Sequence, residues 1–580
     1  MIRATTRPAG HLLALHLQPW RGRVVLILIL LWLLVLAGRA VYLQGLHHTF
    51  LQRKGDALAS RVVELPAHRG MIEDRDGEPL AISTPMESLW VNPTVVQLSE
   101  RQMRQLSSVL QMGIAEIRAK LAEDREFVYI KRRLPPDQAE AVTSLDIPGL
   151  YLQREYRRFY PSGEVTAPLL GFTGMDDNGQ EGLELSFQHW LAGKPGSRRV
   201  LHDRKGNIIE DVQGILSPRP GQDLTLSIDM RLQYLAYHEL SAAVLANRAK
   251  AGALVMLDAH TGEILAMANY PSFNPNNLEG VKSWQIRNHA VTDEFEPGST
   301  MKPFTVAAAL ESGKYTPDTL IDTEGGSYLV GIKRIHDAHP HGMLTVSQVI
   351  QKSSNVGASK MALSLSPEYL WTDLHNSGFG TIPQADFPGA ASGSLRPYQH
   401  WRPIEQATMS YGNGISVSLL QLARAYTIFT NHGVLKPVTL LKQTGAGSPG
   451  VRVYSAKSAD ELVPMLESVV SSEGTAPQAE LDGYRVAGKT GTAHKPDHGG
   501  YSADKYIASF IGFAPVSNPR LIIAVMIDEP SAGQYYGGTV SAPVFKKVMQ
   551  SALRQLDVAP DKSLVQTVKP GKPASEDEKT

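Results

Sequence analysis

The stretch EPGSTMKPF, residues 296–304, decides which fold this sequence predicts. A Pro-Gly pair followed by serine is typical of a helix start, and Ser299 and Lys302 then lie on one face because they are three residues apart. A lysine that is partly buried near a second positive charge has a lowered pKa and can take the proton of a neighbouring serine. The helix N-terminus adds N–H groups and a positive dipole where an oxyanion would develop. These residues predict a serine nucleophile with a lysine base.

The Ser-x-x-Lys pattern alone is a weak signal, because its residue types are common. A second copy, SADK at 502–505, follows Gly499 and Gly500 and is interpreted as a polar loop. For an isolated copy, a helix cap with a solvated lysine is the more frequent structure. The interpretation therefore depends on what accompanies residues 296–304 elsewhere in the chain.

Two further motifs follow in order along the chain, SSN at 353–355 and KTGT at 489–492. Ser353 can pass a proton between the nucleophile and a leaving amine, and Asn355 can orient the base and a substrate amide. The lysine of KTGT, at the end of a predicted strand, supplies the second positive charge. Together the motifs predict these catalytic residues: Ser299, Lys302, Ser353, Asn355 and Lys489.

The KTGT motif also predicts how a substrate binds. Thr490 and Thr492 can bind a substrate carboxylate, and Gly491 lets an extended peptide approach the strand edge, as β-augmentation requires. The N–H of Thr492 could pair with that of Ser299 as an oxyanion hole. Each motif alone has another explanation, since SFN at 272–274 also matches Ser-x-Asn. All three in this order, on the predicted elements, are a strong signal.

Around these motifs the hydrophobic pattern predicts one helix and five strands. Residues 231–250 carry leucine and valine at helical spacing. Residues 253–257 and 264–268 form a predicted β-hairpin, and three further strands are predicted at 484–492, 506–513 and 521–527. About 200 residues of mainly helical sequence separate the two groups of strands. This pattern predicts an α/β fold of the α+β type, with a five-stranded antiparallel sheet flanked by helices.

The N-terminal region contains an uncharged apolar stretch, VVLILILLWLLVLAG at 24–38. Apolar sequence resumes after Arg39, whose side chain can snorkel, so a transmembrane anchor over residues 24–44 reaches the roughly 20 residues that cross a bilayer. The arginines that precede it, with no acidic residue among them, are Arg3, Arg7, Arg21 and Arg23. Residues 1–23 are therefore expected in the cytoplasm and the rest of the chain outside. A cleaved signal peptide is the alternative, but no clear cleavage site precedes residue 44.

Local composition places the domain boundaries. The Pro-rich segment SPRPG at 217–221 is the best candidate linker. It divides an N-terminal module, residues 45–220, from a second domain, residues 221–556. Within the first module, residues 99–123 are polar and predicted to be helical. Residues 557–580 have few large apolar side chains and are expected to be disordered.

The 580 residues include 57 basic and 57 acidic side chains and no cysteine. Balanced charge argues against a nucleic-acid-binding protein. The absence of cysteine excludes disulfides, thiolate nucleophiles, Fe–S clusters and cysteine zinc sites, so a nucleophile must be oxygen or nitrogen. The cluster HDAHPH at 336–341 has no distant partner at ligand spacing and is interpreted as a surface loop near the cleft. No metal and no cofactor is expected.

With these motifs the sequence resembles the division-type class B penicillin-binding proteins, the FtsI-like peptidoglycan D,D-transpeptidases. The resemblance extends from the apolar N-terminal stretch to about residue 550. It is carried by RGMIEDRDG at 69–77, RFYPSGE at 158–164, GLE at 182–184, FEPGSTMKP at 295–303, QKSSNVG at 351–357 and YYGGTVSAPVF at 535–545. The resemblance implies a penicillin-binding transpeptidase fold, similar to that of β-lactamases, preceded by an elongated α+β pedestal that binds partners.

The resemblance also implies a reaction and a location. Ser299 would be acylated by the D-Ala-D-Ala end of a donor stem peptide, and the amine of an acceptor stem would resolve the acyl-enzyme into a cross-link of the septal cell wall. β-Lactams mimic that terminus and would acylate the same serine. The catalytic domain is expected in the periplasm, anchored in the bacterial inner membrane at the division septum. A polytopic glycosyltransferase and other division proteins are the implied partners.

Two residues depart from the family pattern. Asn413 stands in YGNGI where an aromatic is common, and His289 stands in RNHA where arginine is usual. Both segments are expected near the catalytic cleft or its rim. They leave open a conditional paralogue with altered β-lactam affinity, and an elongation-type class B protein is also possible. More distant alternatives are a D,D-carboxypeptidase or β-lactamase, for which no carboxylate that would activate water is recognised, and a non-catalytic β-lactam sensor.

Overall fold

A computed structural model describes most of the chain. The described residues are 19–51, 60–94, 96–125, 127–202, 208–445, 447–497 and 500–562. The chain divides into two compact units: the first combines Met1–Pro66, Glu87–Gln153 and Pro195–Pro218, and the second combines Ala67–Met86, Arg154–Lys194 and Arg219–Thr580. The linker predicted at 217–221 begins at the end of the first unit, but the second unit also contains segments from the predicted N-terminal module. Each unit is therefore made of three separate stretches of the chain, rather than of one continuous segment.

The N-terminal apolar stretch is helical. An α-helix spans Pro19–Val41 and continues as a short π-helix, Tyr42–Leu46. Residues Trp20–Leu46 are long and apolar enough to cross a membrane, with a mean hydropathy of 2.8, and none of the most apolar window is buried in the protein. This helix coincides with the predicted anchor at 24–44. Most of the predicted cytoplasmic segment, residues 1–18, lies outside the described residues.

The first unit contains an antiparallel sheet of three strands and a small helical core. The strands are Ser60–Leu65, Gly196–His202 and Ile208–Leu216, in that order across the sheet. A second set of elements comprises the helices Glu100–Leu110, Ile114–Leu121 and Pro136–Thr143 and the strand Val128–Leu134, which pairs with residues 87–91 of Pro79–Val91. Leu89, Leu106 and Ile130 are buried in their common core.

The predicted helical segment 99–123 is two helices. Gln111 adopts a left-handed backbone conformation, φ 53°, and ends the first helix. Gly113 then serves as the N-cap of the second. Ser99 begins the first helix with a capping box, since its side chain accepts from Gln102 N while the Gln102 side chain accepts from Ser99 N.

The second unit is built on a five-stranded antiparallel sheet. Its order is Ile264–Tyr270, Ala251–Asp258, Leu521–Asp528, Gly500–Ala514 and Ala487–Asp497. The fold predicted from the five strands is thereby confirmed. The strand Ala251–Asp258 is buried along its whole length, as expected for a strand covered on both faces. The strand Ala487–Asp497, named the edge strand below, lies at one side of the sheet.

The predicted boundaries differ in detail from those observed. The edge strand begins at Ala487 rather than 484 and continues to Asp497. The first helix of the domain spans Met230–Ala246 rather than 231–250, because Asp229 accepts hydrogen bonds from the first backbone N–H groups and Asn247 ends the last turn. Between the predicted linker and this helix, the structure contains the short strand Leu224–Thr225.

Helices and small hairpins occupy the sequence between the two groups of strands and follow the last strand. The helices are Ser283–Ile286, His289–Thr292, Lys302–Glu311, Val346–Gln351, Asn355–Ser364, Pro367–Asn376, Pro403–Met409, Leu419–Ala425, Thr427–Thr430, Ala456–Ser468, Gly537–Val540 and Ala542–Gln555. The paired short strands are Leu320–Asp322 with Met343–Thr345, Ser327–Val330 with Lys333–His336, and Val434–Leu435 with Val451–Arg452. Met230–Ala246 packs against Ala542–Gln555 and the sheet, while Leu419–Ala425 packs against its central strands.

The second unit also includes early segments of the chain. They contain the short strand Ile72–Glu73, the larger part of Leu150–Phe159, and the helices Ala167–Leu170, Gly182–Ser186 and Gln188–Leu191. Glu184 is fully buried there between two buried arginines. Its carboxylate accepts from Arg69 Nε at 2.7 Å and from Arg158 Nε at 2.6 Å. Because removal of either partner would leave a buried charge uncompensated, this triad fixes the local packing.

The first residues of the predicted disordered tail are packed on the second unit. Tyr484 Oη donates to Val558 O, and the backbone N–H groups of Arg485 and Ser517 donate to the Asp561 carboxylate. The prediction of disorder is therefore wrong for residues 557–562, because polar side chains can be held by backbone donors even where apolar ones are few. The rest of the predicted tail lies outside the described residues.

Candidate active site

The predicted nucleophile lies in a tight turn. Gly298–Met301 forms a turn of 3₁₀-helix that leads directly into the α-helix Lys302–Glu311, and is named the nucleophile turn below. In a 3₁₀ turn, side chains three residues apart are nearly eclipsed. Lys302 Nζ accordingly donates to Ser299 Oγ at 2.8 Å. The two residues share one face as predicted, but the turn rather than a regular α-helix aligns them.

Lys302 is enclosed by oxygen atoms. Its Nζ also contacts Ser353 O at 2.6 Å, Ser353 Oγ at 3.0 Å and Asn355 Oδ1 at 2.8 Å. The side chain is 0% exposed. Burial first, and the positive charge of Lys489 second, hold the pKa of Lys302 well below its usual value, against the opposing charge of Asp337. The amine is therefore placed and tuned to accept the proton of Ser299.

Ser353 joins the two lysines. Lys489 Nζ donates to Ser353 Oγ at 2.9 Å, so the hydroxyl that receives a hydrogen bond from Lys302 also receives one from Lys489. Burial lowers the pKa of Lys489 to about 7. Two amines and one hydroxyl thus form a continuous path along which a proton can move from the nucleophile.

The backbone of the SSN motif is held in an unusual conformation. Ser353 has φ 60°, in the left-handed region that non-glycine residues rarely adopt. Ser354 follows as the N-cap of the helix Asn355–Ser364, and its Oγ accepts from Gly357 N. The turn between two helices therefore directs Ser353 and Asn355 toward Lys302, and local strain is held by the cap.

Asp337 supports this turn. The sequence motifs do not indicate that role. Its carboxylate accepts from Ser354 Oγ at 2.6 Å and from Val356 N at 2.9 Å. The neighbouring carbonyl, His336 O, accepts from Asn355 Nδ2 at 2.8 Å. The segment predicted to be a surface loop near the cleft is near the SSN turn and fastens it in place. In the sequence, Asp337 is marked only as a carboxylate between histidines, and that pattern has no distinctive spacing.

The HDAHPH cluster is largely exposed. His336 and His339 are exposed. Among the residues that the structure describes, no group of three histidine or acidic side chains is arranged to hold a metal ion. The cluster contributes Asp337 and a carbonyl to the SSN turn.

The KTGT motif lies on the edge strand, which pairs on one side with Gly500–Ala514. Among the described strands none pairs with its other side. Thr490 Oγ1 contacts Thr475 Oγ1 at 2.9 Å, and Thr492 Oγ1 accepts from Gly537 N at 3.1 Å. The arrangement leaves a strand edge available for an extended peptide.

Gly491 and Gly298 hold the edge strand close to the nucleophile turn. A Cβ on Gly491 would lie 2.3 Å from Ser509 Oγ and 2.8 Å from Pro297 O. A Cβ on Gly298, where φ is +56°, would lie 3.3 Å from Thr492 O. The edge strand and the nucleophile turn approach so closely that a side chain at either glycine position would be crowded. This approach also brings Thr492 beside Ser299. The predicted pairing of their N–H groups as an oxyanion hole stays a prediction.

Comparison with known proteins decides the family. The sequence matches the penicillin-binding protein transpeptidase domain over residues 252–550 and the penicillin-binding protein dimerisation domain over residues 64–226. The chain belongs to the penicillin-binding protein transpeptidase family. The predicted resemblance to class B penicillin-binding proteins and the predicted fold class are confirmed.

Similar curated proteins and solved structures indicate the same family. The chain is 44% identical over 550 residues to a probable peptidoglycan D,D-transpeptidase PenA of Neisseria meningitidis, covering 94% of each chain. It is 41% identical to the peptidoglycan D,D-transpeptidase FtsI of Escherichia coli K12, covering 93% of each. The transpeptidase domain of Burkholderia pseudomallei penicillin-binding protein 3 is 50% identical, with a TM-score of 0.54 over 58% of this chain and 98% of that one.

A longer structural likeness includes the N-terminal region. A peptidoglycan synthetase from Bifidobacterium adolescentis aligns with a TM-score of 0.71, covering 87% of this chain and 98% of that one, at 24% identity. At this identity the likeness supports the fold alone.

The second Ser-x-x-Lys copy of this penicillin-binding protein is not part of the site. Residues 502–505, predicted to be a loop, belong to the strand Gly500–Ala514. Ser502 Oγ donates to Asp504 Oδ1, and Lys505 is exposed. In a strand, neighbouring side chains point to opposite faces, so this spacing does not bring serine and lysine together. The Ser-x-Asn copy at 272–274 is also separate, since Ser272 Oγ donates to Glu164 O.

The two departures from the family pattern lie in different surroundings. Asn413 belongs to a loop, Tyr411–Gly414, that touches the nucleophile turn, where Gly298 N donates to Gly412 O at 3.3 Å. His289 is buried, and its Nδ1 lies 2.7 Å from Asp293 Oδ2. Asn413 therefore belongs to a loop beside the nucleophile turn, while the contact of His289 is with its own helical segment rather than with the lysines.

Proposed function

We propose that this penicillin-binding protein is a serine-type peptidoglycan D,D-transpeptidase that cross-links stem peptides of the septal cell wall through an acyl-Ser299 intermediate. The observation that carries the proposal is the buried Lys302 amine, 2.8 Å from Ser299 Oγ, with its pKa held well below the usual value by burial. An amine with a lowered pKa can act as a base for the serine hydroxyl. The curated relatives named as peptidoglycan D,D-transpeptidases support the same activity.

Acylation follows from the order of the groups. Lys302 removes the hydroxyl proton as Ser299 Oγ attacks the carbonyl carbon of the penultimate D-alanine of a donor stem. The N–H groups of Ser299 and Thr492 stabilise the oxyanion of the tetrahedral intermediate. When the C–N bond breaks, the departing D-alanine amine takes the proton, passed from Lys302 by Ser353, which lies between the lysines. An ester between Ser299 and the donor remains.

Transfer to an acceptor amine completes the reaction. The acceptor nitrogen attacks the ester carbonyl, loses a proton to the Lys302 amine, and forms an amide as Ser299 Oγ recovers its hydrogen. Within the part of the chain that the structure describes, the hydrogen-bond partners of Ser299, Lys302 and Ser353 include no carboxylate. With no carboxylate among these described partners to activate water, transfer to an amine is favoured over hydrolysis.

The substrate-binding assignments rest on the edge strand. An extended donor stem would add to its open side, with Gly491 at the point of closest approach. Its terminal carboxylate would be bound by Thr490 and Thr492, near the positive charge of Lys489. Asn355 would hold the donor amide as well as Lys302. A β-lactam presents the same carboxylate and a reactive carbonyl, so it would acylate Ser299 in place of the stem.

The anchor and the domains define the proposed location. A single span at 24–44, with residues 1–23 in the cytoplasm, would place the pedestal, 45–220, and the transpeptidase domain, 221–556, in the periplasm. The apolar helix and the arginines before it support this orientation. The inner membrane, a polytopic glycosyltransferase and other division proteins are the proposed partners at the septum. No cofactor is proposed.

Labelling with a fluorescent penicillin tests the chemistry. The full chain in detergent is incubated with the probe, and the adduct is located by mass spectrometry of proteolytic peptides. Label on Ser299, lost in Ser299→Ala, is expected. An unlabelled wild-type protein, or label at another residue, would refute the mechanism.

Depletion of the protein in its host tests the biological role. Filamentous cells are expected if the enzyme acts at the septum, because elongation continues while division stops. Rounded cells would indicate an elongation-type protein instead, and unchanged cells would indicate a conditional paralogue.

A further inference from the structure

Glu296 joins three segments that surround the nucleophile. It precedes Ser299 by three residues, and its Oε1 accepts two hydrogen bonds at 2.9 Å, from Gly414 N and from Tyr501 Oη. Gly414 belongs to the loop Tyr411–Gly414, and Tyr501 to the strand that pairs with the edge strand. One carboxylate oxygen therefore connects the chain before the nucleophile turn, the loop at 411–414 and the hairpin that carries the KTGT motif.

Burial of the second oxygen of the same carboxylate is unfavourable in free energy. Glu296 Oε2 is buried and, among the residues that the structure describes, has no hydrogen-bond partner. Burial raises the pKa of Glu296 in spite of the hydrogen bonds from Gly414 and Tyr501. Buried polar atoms without partners are few in folded proteins, and titratable groups with perturbed pKa values cluster at functional sites. The position of this side chain thus favours a role beyond filling space.

Tyr501 makes the connection at the far end of a hairpin. The hairpin consists of the edge strand and Gly500–Ala514, and Tyr501 pairs with Pro496 near its tip. Tyr501 as a whole is 51% exposed, so apolar burial alone does not hold its side chain. At the other end, Gly491 packs on Pro297 and fixes the base of the hairpin to the nucleophile turn. The Tyr501 hydroxyl is placed to set the tilt of the hairpin about that base.

We propose that Glu296 is a positioning residue that clamps the hairpin, through Tyr501, against the nucleophile turn and so sets the width of the cleft in which an extended donor peptide binds. The inference rests on the proposed function, since it assigns a role in that same site. Without the clamp the edge strand samples tilted positions, and the apparent dissociation constant rises in inverse proportion to the fraction that remains competent. Loss of one hydrogen bond to a charged acceptor lowers that fraction roughly tenfold.

Acylation kinetics of the full chain in detergent test the clamp. The rate of labelling by a fluorescent penicillin is measured over a range of concentrations, which separates the dissociation constant of the initial complex from the maximal acylation rate. The variants are Glu296→Ala, Glu296→Gln, Tyr501→Phe and the double variant Glu296→Ala/Tyr501→Phe. Glu294→Gln is the matched control, because Glu294 also accepts from a backbone N–H and a hydroxyl, those of Gly393 and Ser416, outside the hairpin.

The expected pattern is specific to a clamp. Tyr501→Phe raises the dissociation constant about tenfold, and Glu296→Ala raises it at least as much, because it also removes the acceptor of Gly414 N. In both variants the maximal rate stays within about twofold of wild type, and the double variant is no weaker than Glu296→Ala. Glu296→Gln retains an acceptor oxygen and recovers most of the affinity, while Glu294→Gln matches wild type. Tyr501→Phe removes one exposed oxygen and preserves the ring, so it tests the inference even where Glu296→Ala fails to fold.

Other results would overturn the inference. Wild-type affinity in Tyr501→Phe, additive losses in the double variant, or a lower maximal rate at unchanged affinity would each exclude a clamp through Tyr501. Failure of the wild-type protein to label at Ser299 would instead refute the proposed function, and the inference with it.

Discussion

Replacement of Asp337 by alanine is the most direct test of how the SSN turn is held. The carboxylate accepts from Ser354 Oγ at 2.6 Å and from Val356 N at 2.9 Å, and both donors flank Asn355. Hydrogen bonds to a charged group contribute about 1.5 to 3 kcal/mol each. Because Asp337 is partly exposed, the lower value applies, and the two bonds together contribute about 3 kcal/mol to the position of the turn.

The kinetic effect follows from geometry. Released from Asp337, the turn moves Ser353 and Asn355 away from Lys302, and a displacement of about 1 Å in an active site lowers the rate about 100-fold. The acylation rate constant of Asp337→Ala is therefore expected to fall by about two orders of magnitude. Asp337→Asn, which retains an acceptor for Val356 N, is expected to lose less.

The pH profile supplies an independent readout. The negative charge of Asp337 opposes the lowering of the Lys302 pKa, so its removal lowers that pKa further. Acylation requires the neutral amine, and the rise of the acylation rate with pH is expected to move to lower pH in Asp337→Asn. A purely structural defect would lower the rate without moving the profile.

The assay is fluorescent-penicillin labelling of the full chain between pH 5 and 10, with His339→Ala as the control in the same loop. His339 is exposed, and wild-type kinetics are expected for its replacement. If the acylation rate constant of Asp337→Ala stays within twofold of that of the wild type across the whole pH range, the conclusion that this carboxylate positions the SSN turn is refuted.

Three further predictions concern charge and burial. Lys489→Met removes the charge that lowers the pKa of Lys302, so the rise of the acylation rate with pH should move to higher pH; an unmoved profile would contradict the coupling. Glu184→Gln breaks a fully buried ion triad and should destabilise the protein by about 3 to 5 kcal/mol, measured by denaturant unfolding. Burial raises the pKa of Asp373 to about 7, above its unfolded value, so stability should fall as pH rises from 4 to 7; Asp373→Asn should flatten that dependence in thermal unfolding, and an unchanged slope would exclude this residue as the cause.

Much of the fold could be predicted from local patterns. The hydrophobic pattern predicts five strands whose observed ends differ by up to six residues, since a strand end depends on its partner and not only on its own composition. The helical segment 99–123 was predicted without its break, because the left-handed Gln111 carries no distinctive sequence signal. Residues 557–562 were expected to be disordered from composition, whereas backbone donors elsewhere in the chain bind Asp561.

Part of the site could also be predicted from local sequence patterns. Ser299 and Lys302 are neighbours in sequence, and the structure brings Ser353 and Lys489 to them as the motif order indicated. Asp337 could not be found in this way, because its partners are polar atoms of another loop. Residues that act through hydrogen bonds to backbone groups have no required spacing, so sequence patterns do not reveal them.

The sequence by itself determined the apolar anchor, the class of nucleophile, the order of the three motifs and the number of strands in the main sheet, because each follows from residue types and short-range periodicity. Only the tertiary structure decided how the predicted base, Lys302, is enclosed and why its pKa is lowered. Lys302 and Ser353 are 51 residues apart, and Ser353 and Lys489 are 136 apart. Their pKa values depend on burial by residues from the whole domain, and burial is a collective property that no short stretch of sequence contains.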